Sequence, residues 1–360
     1  MSLLASVKKY AVLGVLAFVA TASLASAGVR DLTATISTEK SFLEASDDAV
    51  VVFNLFNPSN EDVYIPSWQT PVRGIEGNIF DVRKNGVPVA YTGRLYKRGA
   101  PTAADYVRIP AGGAVSARVD LSAAYDMGFT GEYTIQYRTR VQDALRGIEN
   151  AVQGDAVRNL ESNAVILGAE RIDVPEFAID DAVVSATAPY LTPGYVSCSS
   201  SRQSSLLTAL GNAESIALKA RNYLNNLPTA SRSTDTAYRT WFGSYTSSRY
   251  STVQSHYNNI YSTFNTKKVT FYCDCTSSAY AYVYANRPYE IHLCNAFWSA
   301  PNLGIDSKAG TLVHETSHFS VVAGTQDYAY GTSACQSLAN SNPSRAINNA
   351  DSHEYFAETR

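Results

Sequence analysis

The strongest constraint in this chain is a change of character near residue 190. Residues 28–197 hold no cysteine and no histidine; all five of each lie from Cys198 onward. Residues 28–189 carry 22 acidic against 15 basic side chains, whereas residues 190–360 carry 10 against 12 together with 16 of the 24 tyrosines. The stretch SATAPYLTPGYVSCSSS (185–201) between them is rich in Ser, Thr, Ala and Pro, as linkers are. Two units are expected, and any chemistry that needs imidazole or thiol belongs to the second.

The two halves also differ in period. DAVVVFNLFNPS (48–59) is a β-rich run closed by Asn57-Pro58, and GEYTIQYRTRV (131–141) alternates, with Tyr133, Ile135 and Tyr137 on one face. Short strands punctuated by Gly, Pro and Asn suggest a β-sandwich. The second half begins with a helical pattern, SSRQSSLLTALGNAESIALKARNYLNN, whose Leu206, Leu207, Leu210, Ile216 and Leu218 are spaced as a buried stripe. RTWFGSYTSSRYSTVQSHYNNIYSTF is expected as a second helix, VTFYCDC with AYVYANRPYEIHLC as a small hairpin or sheet, and residues 309–360 as mostly helix with a turn at Ala323-Gly324. The expected class is α+β: a helix-dominated unit preceded by an all-β, sandwich-like one.

The N-terminus reads as a secretory signal peptide over residues 1–27. Lys8 and Lys9 precede the apolar run AVLGVLAFVA, and Ala25-Ser26-Ala27 supplies a small-residue cleavage site. The run is too short for a confident membrane span, so an exported chain with no membrane anchor is expected after cleavage. Export permits disulfides. Five cysteines leave at least one unpaired within the chain. A net charge of −3 gives no general pointer to nucleic acid.

The chemistry concentrates in GTLVHETSHFSVVAGTQDYAYG (310–331). Residues four apart lie on one helix face, so His314 and His318 can aim imidazole nitrogens at one ion. Neutral imidazole suits Zn²⁺, and Glu315 lies where it can take the proton of a water on that metal and later pass it to a leaving amine. Catalytic zinc usually has three protein ligands. If the helix breaks at Gly324 and the chain returns, Asp327 is a plausible third ligand; His353, Glu354 and Asp351 are its rivals. The Tyr330 phenol could donate to a developing oxyanion. Asp351 and Glu354, three apart on a helix, share a face and could hold a lysine ammonium. His353 points elsewhere and is expected to be structural.

These motifs resemble the aspzincin signature, H-E-x-x-H followed by G-T-x-x-D, of the deuterolysin family of zinc endopeptidases. GYVSCSSS, TWFGSYTSSRYSTV, the C-x-C pair, NAFWSAP, AGTLVHETSHF, GTQDYAYG and NNADSHEYFAE are similar to its peptidyl-Lys branch, from about Gly194 to the C-terminus. The resemblance implies a zincin-like catalytic domain over residues 190–360 with one zinc held by His314, His318 and Asp327. It also implies Glu315 as base, Tyr330 as transition-state donor, and Asp351 and Glu354 in a pocket for the substrate lysine. It further implies disulfides Cys198–Cys273 and Cys275–Cys294, with Cys335 outside the pattern. Residues 28–189 are then a propeptide, and protein or peptide substrates are the partners.

Two expectations follow. The chain has no lysine between Lys97 and Lys219, so strict lysine cutting cannot separate the halves near residue 190. The net −7 of residues 28–189 against +2 after them suggests that the first unit docks on the catalytic cleft as an inhibitor. Competing readings are a protease of broader, deuterolysin-like specificity and a secreted adhesion protein with a closed structural metal site.

Overall fold

The computed structural model describes residues 32–44, 47–141, 145–146, 150–151, 158–170 and 192–360. The expected leader (1–27) lies outside them, as does the part of the expected linker up to residue 191.

Residues 32–170 form strands joined by turns and short 3-10 segments, arranged in a three-stranded, a five-stranded and a four-stranded sheet. Alternation explains the central strand Gly131–Val141: Tyr133, Ile135, Tyr137 and Val141 point inward and are buried. It pairs antiparallel with Arg158–Ala169 on one side and Phe80–Lys84 on the other. Val51, Phe53 and Leu55 of strand Val50–Phe56 join the same core, where Phe53 packs on Tyr137 with ring centroids 4.7 Å apart.

The second unit is built from helices around a mixed sheet. Helix Ser200–Asn226 is capped by Ser199, whose hydroxyl accepts from the Arg202 amide. Its buried stripe is Leu206, Ala209, Ala213, Ile216, Ala217, Ala220 and Leu224, while Leu207 is exposed and Leu210 and Leu218 are only half-buried. Small alanines, not the extra leucines, face the neighbours, and this lets helices Ser247–Thr266 and Lys308–His318 pack against the stripe. The expected single second helix is two, Thr236–Phe242 and Ser247–Thr266. Gly243 breaks it at φ +80, and a Cβ there would meet the Ala339 carbonyl oxygen at 2.1 Å, so only glycine fits this turn.

The sheet has the order Gly194–Val196, Thr270–Tyr272, Glu290–Leu293, Ala281–Tyr284, Arg94–Lys97. Its last strand comes from the β-rich unit, about 190 positions earlier in the chain. Arg94–Lys97 pairs antiparallel with Ala281–Tyr284, with Lys97 opposite Ala281 and Leu95 opposite Val283. Leu95 packs in the hydrophobic core of the second unit, not in that of its own.

Cys198–Cys273 and Cys275–Cys294 are disulfide-bonded, and Cys335 is a buried free thiol. Cys198–Cys273 ties the start of the first helix to the sheet across 75 residues. Loop-closure entropy gives such a crosslink up to about 4 kcal/mol. A Cys198→Ala/Cys273→Ala double variant should lose roughly 2–4 kcal/mol in guanidinium unfolding. A loss below about 1 kcal/mol would show that the linked segment is ordered by packing alone.

Candidate metal centre and lysine pocket

The helix Lys308–His318 is the frame of the site. Ser307 caps it by accepting from the Gly310 amide, and the Thr311 hydroxyl donates back to the Ser307 carbonyl. Every residue from Ala309 to His318 is buried, although six of these ten are polar. Ser317 bonds the His314 carbonyl at 2.6 Å and the Thr325 hydroxyl at 2.6 Å. Glu315 Oε2 and Thr316 Oγ1, however, are buried with no hydrogen-bond partner, and so is Asp327 Oδ1 beside them. Buried unpaired polar atoms are costly, and their concentration here points to a missing partner.

The helix ends at His318, six residues before the expected break at Gly324. Phe319 leaves it with ψ 128 to bury its ring, and the amides of Val322, Ala323 and Gly324 all donate to the Phe319 carbonyl. Gly324 takes φ +59, and the Thr325 amide then donates to Ser317. The tight return brings the Thr325 carbonyl within 2.9 Å of His318 Nδ1, which donates to it and leaves Nε2 as a lone-pair donor. His314 Nδ1 faces carboxylates, 2.8 Å from Asp351 and 3.4 Å from Glu354, close in distance though not aligned as hydrogen bonds. Its Nε2 is likewise turned inward.

The two Nε2 atoms are 3.1 Å apart and lie 3.3 and 3.4 Å from Asp327 Oδ1. Ligands about 2.0–2.1 Å from a tetrahedral zinc would stand roughly 3.3–3.4 Å from one another. The residues present therefore fit the ion: two imidazole nitrogens and an orphaned carboxylate oxygen at the edge lengths of its coordination shell. Burial raises Asp327, but His318 and His314 outweigh it and hold the carboxyl well below its usual range. Glu315 is pushed up to about 7 by burial, against the pull of both imidazoles. Burial around the Tyr330 hydroxyl and the Asp327 charge next to it keep that phenol protonated. Tyr330 and Asp327 also line a cavity of about 390 Å³ between the two units.

Asp351 and Glu354, on helix Ala350–Glu358, surround a cation supplied by the β-rich unit. The Lys97 ammonium is fully buried, 2.9 Å from Glu354, 3.6 Å from Asp351 and 2.7 Å from Asp306. Its charge is opposed by burial but favoured by Asp351 and Glu354, which hold the amine protonated far above its ordinary range. The rings of Tyr355 and Tyr280 lie 5.2 and 5.4 Å from it. Asp351 also accepts from the Gly331 amide at 2.7 Å. His353 turns away: its Nδ1 donates to the Asn349 carbonyl, and its Nε2 lies 3.0 Å from His256. Lys97, Asp306, Tyr280 and Tyr355 carry no signal in the sequence that marks them for this site. Lys97, Asp306 and Tyr280 sit in no spaced motif, Tyr355 follows Glu354 in NNADSHEYFAE as one tyrosine among many, and Asp306 enters through a left-handed turn, φ +54, pinned by Glu358 on the Asp306 and Ser307 amides.

The family model described as "Lysine-specific metallo-endopeptidase" matches residues 228–358. An extracellular protease of Aeromonas hydrophila is 37% identical over 324 residues, 87% of this chain and 89% of its own. Peptidyl-Lys metalloendopeptidases of Armillaria mellea and Grifola frondosa are 51% and 49% identical, over 46% and 49% of this chain. The matches span 46% and 50% of those two relatives' own lengths. The solved zinc peptidase from Grifola frondosa is 49% identical, covers 45% of this chain and 97% of its own, and has a TM-score of 0.43. The chain belongs to the aspzincin family of zinc metalloendopeptidases. Among the described residues no helix is long and apolar enough to cross a membrane.

Replacing Asp327→Asn should weaken zinc binding by at least about 10²-fold, and Asp351→Asn, which removes the nearer of the two carboxylates facing His314 Nδ1, by about 10- to 100-fold. Competition against a zinc chelator reads both; unchanged affinity in Asp327→Asn would remove Asp327 from the ligand set.

Proposed function

We propose that this chain is a secreted zinc endopeptidase, made as a precursor, that cuts peptide bonds on the amino side of lysine. Residues 1–27 are its leader, 28–189 its propeptide and 190–360 its catalytic unit. The observation that carries the lysine preference is the buried Lys97 ammonium among Asp306, Asp351 and Glu354, next to the His314, His318 and Asp327 cluster. A pocket that stabilises a fully desolvated ammonium with several carboxylates selects a compact cation with a long apolar stem.

His314, His318 and Asp327 would hold the zinc. When bound, the ion supplies Lewis-acid polarisation of the peptide carbonyl and makes water a better nucleophile at neutral pH. Glu315 is the proton carrier. Its Oε2 is buried without a partner, and its Oε1 accepts from the Lys97 amide at 3.1 Å. A carboxylate that can take a proton on one oxygen and stands within reach of the amide nitrogen on the other is suited to deliver that proton to a leaving amine. Tyr330, kept neutral beside Asp327, retains its O–H to donate to negative charge developing on the carbonyl oxygen. Asp351 has two tasks, holding the substrate ammonium and facing His314 Nδ1.

Glu315→Gln should keep zinc bound and lower turnover by at least about 10²-fold. Peptide-pool digestion by the processed wild-type enzyme should place lysine directly after most cut bonds, and removing zinc with a chelator should abolish cutting until zinc is restored. Cuts with no lysine enrichment would favour the broader deuterolysin-like specificity. Full activity in Glu315→Gln would exclude that residue as the base.

A further inference from the structure

We propose that the strand Arg94–Lys97 lies in the position of a substrate, so that Lys97 marks the complete recognition pocket, Asp306 included, and closes it to other peptides. This rests on the lysine-pocket reading above and deepens it.

Three features make the strand substrate-like. It adds to the free edge of the catalytic sheet by antiparallel pairing with Ala281–Tyr284, the way extended peptides bind sheet edges. The Tyr280 amide donates to the Lys97 carbonyl at 2.9 Å, and the Lys97 amide donates to Glu315 at 3.1 Å, so the bond preceding Lys97 faces the catalytic carboxylate. The Lys97 side chain is 0% exposed and its ammonium reaches the carboxylates. Leu95 is buried with the second unit's core and Tyr96 packs on Tyr282 at 5.1 Å, so the side chains before the lysine also have fitted places.

Both flanks of the strand are fastened to the β-rich unit. The Thr92 amide donates to the Ala124 carbonyl, and Tyr91 pairs with Tyr125. Arg98 stacks over Tyr96 and Trp68 at 4.1 and 4.4 Å and bonds Glu76 at 3.3 Å. A segment held at both ends and carried on the same chain reaches the cleft with little further loss of entropy and at high effective concentration.

Asp306 is the nearest carboxylate to the ammonium, at 2.7 Å, and also accepts from the Tyr355 hydroxyl at 2.9 Å. Its side chain is 39% exposed, so it forms the mouth of the pocket over the buried pair Asp351 and Glu354. We assign it as a specificity-determining residue for the substrate lysine.

The test compares intact precursor, precursor carrying Lys97→Met, and processed enzyme on a short lysyl peptide, in initial rates with chain integrity checked by mass spectrometry. The wild-type precursor should be at least about tenfold less active than the processed enzyme, and Lys97→Met, which keeps the stem and removes the charge, should recover most of that gap. A wild-type precursor as active as the processed enzyme, or a Lys97→Met precursor as silent as wild type, would overturn the plug. A second measurement leaves Lys97 in place: in a Glu315→Gln precursor, an amine-acylating reagent should modify exposed Lys40, Lys267 and Lys268 and spare Lys97, and equal labelling would overturn it. For Asp306, the processed Asp306→Asn enzyme keeps a residue that tolerates the left-handed turn. Its KM for the lysyl peptide should rise about tenfold with kcat within about twofold, and an unchanged KM would remove Asp306 from recognition. If the processed wild-type enzyme shows no lysine preference, the pocket reading fails by itself, and precursor against processed rates on whatever peptide it cuts still decide the plug.

Discussion

Uncompensated negative charge in a dry interior is the constraint around which this molecule is arranged. Glu315, Asp327, Asp351 and Glu354 are gathered around one helix, three of them fully buried. An isolated buried carboxylate is strongly disfavoured, so such a group survives only with cations matched to it. Two different cations suit the two ends. The two Nε2 atoms and the Asp327 oxygen offer three lone pairs at the edge lengths of a small tetrahedral ion. The carboxylates of Glu354, Asp351 and Asp306 surround an ammonium that needs three acceptors and no coordination geometry. His314 joins the halves, with one nitrogen turned to each.

Local patterns made much of this legible. The first long helix runs over Ser200–Asn226, the span its serine cap and periodicity suggest, and Gly131–Val141 is a strand because its alternation admits little else. His314, Glu315 and His318 announce a metal helix by spacing, and nine residues with a glycine suffice to return Asp327 to it. The cysteine pairs suggested by resemblance are those found.

What was not legible depends on contacts distant in sequence. Gly243 looks like one weak residue within a helical pattern until the Ala339 carbonyl is seen against it. Leu207, Leu210 and Leu218 match a stripe by hydropathy, but close helix packing selects the alanines. The helix stops at His318 because Phe319 is pulled into the core next to Tyr289, not because of Gly324. The docking of the acidic unit seemed a matter of net charge. The contact at the site's centre is instead a single lysine from that acidic segment, entering a pocket more acidic still. Long-range β pairing across 184 positions, Lys97 with Ala281, leaves no periodic mark that a window of sequence could show.

The metal environment is decisive, because His314 can serve either of two clusters: with His318 and Asp327, or with Asp351 and Glu354. Zinc-edge X-ray absorption on the zinc-loaded protein, combined with metal analysis, distinguishes them. One zinc per chain is expected, bound by two imidazoles, one carboxylate oxygen and one exchangeable solvent ligand. A zinc with a single imidazole and two carboxylates, or one closed by a fourth protein ligand, would contradict it.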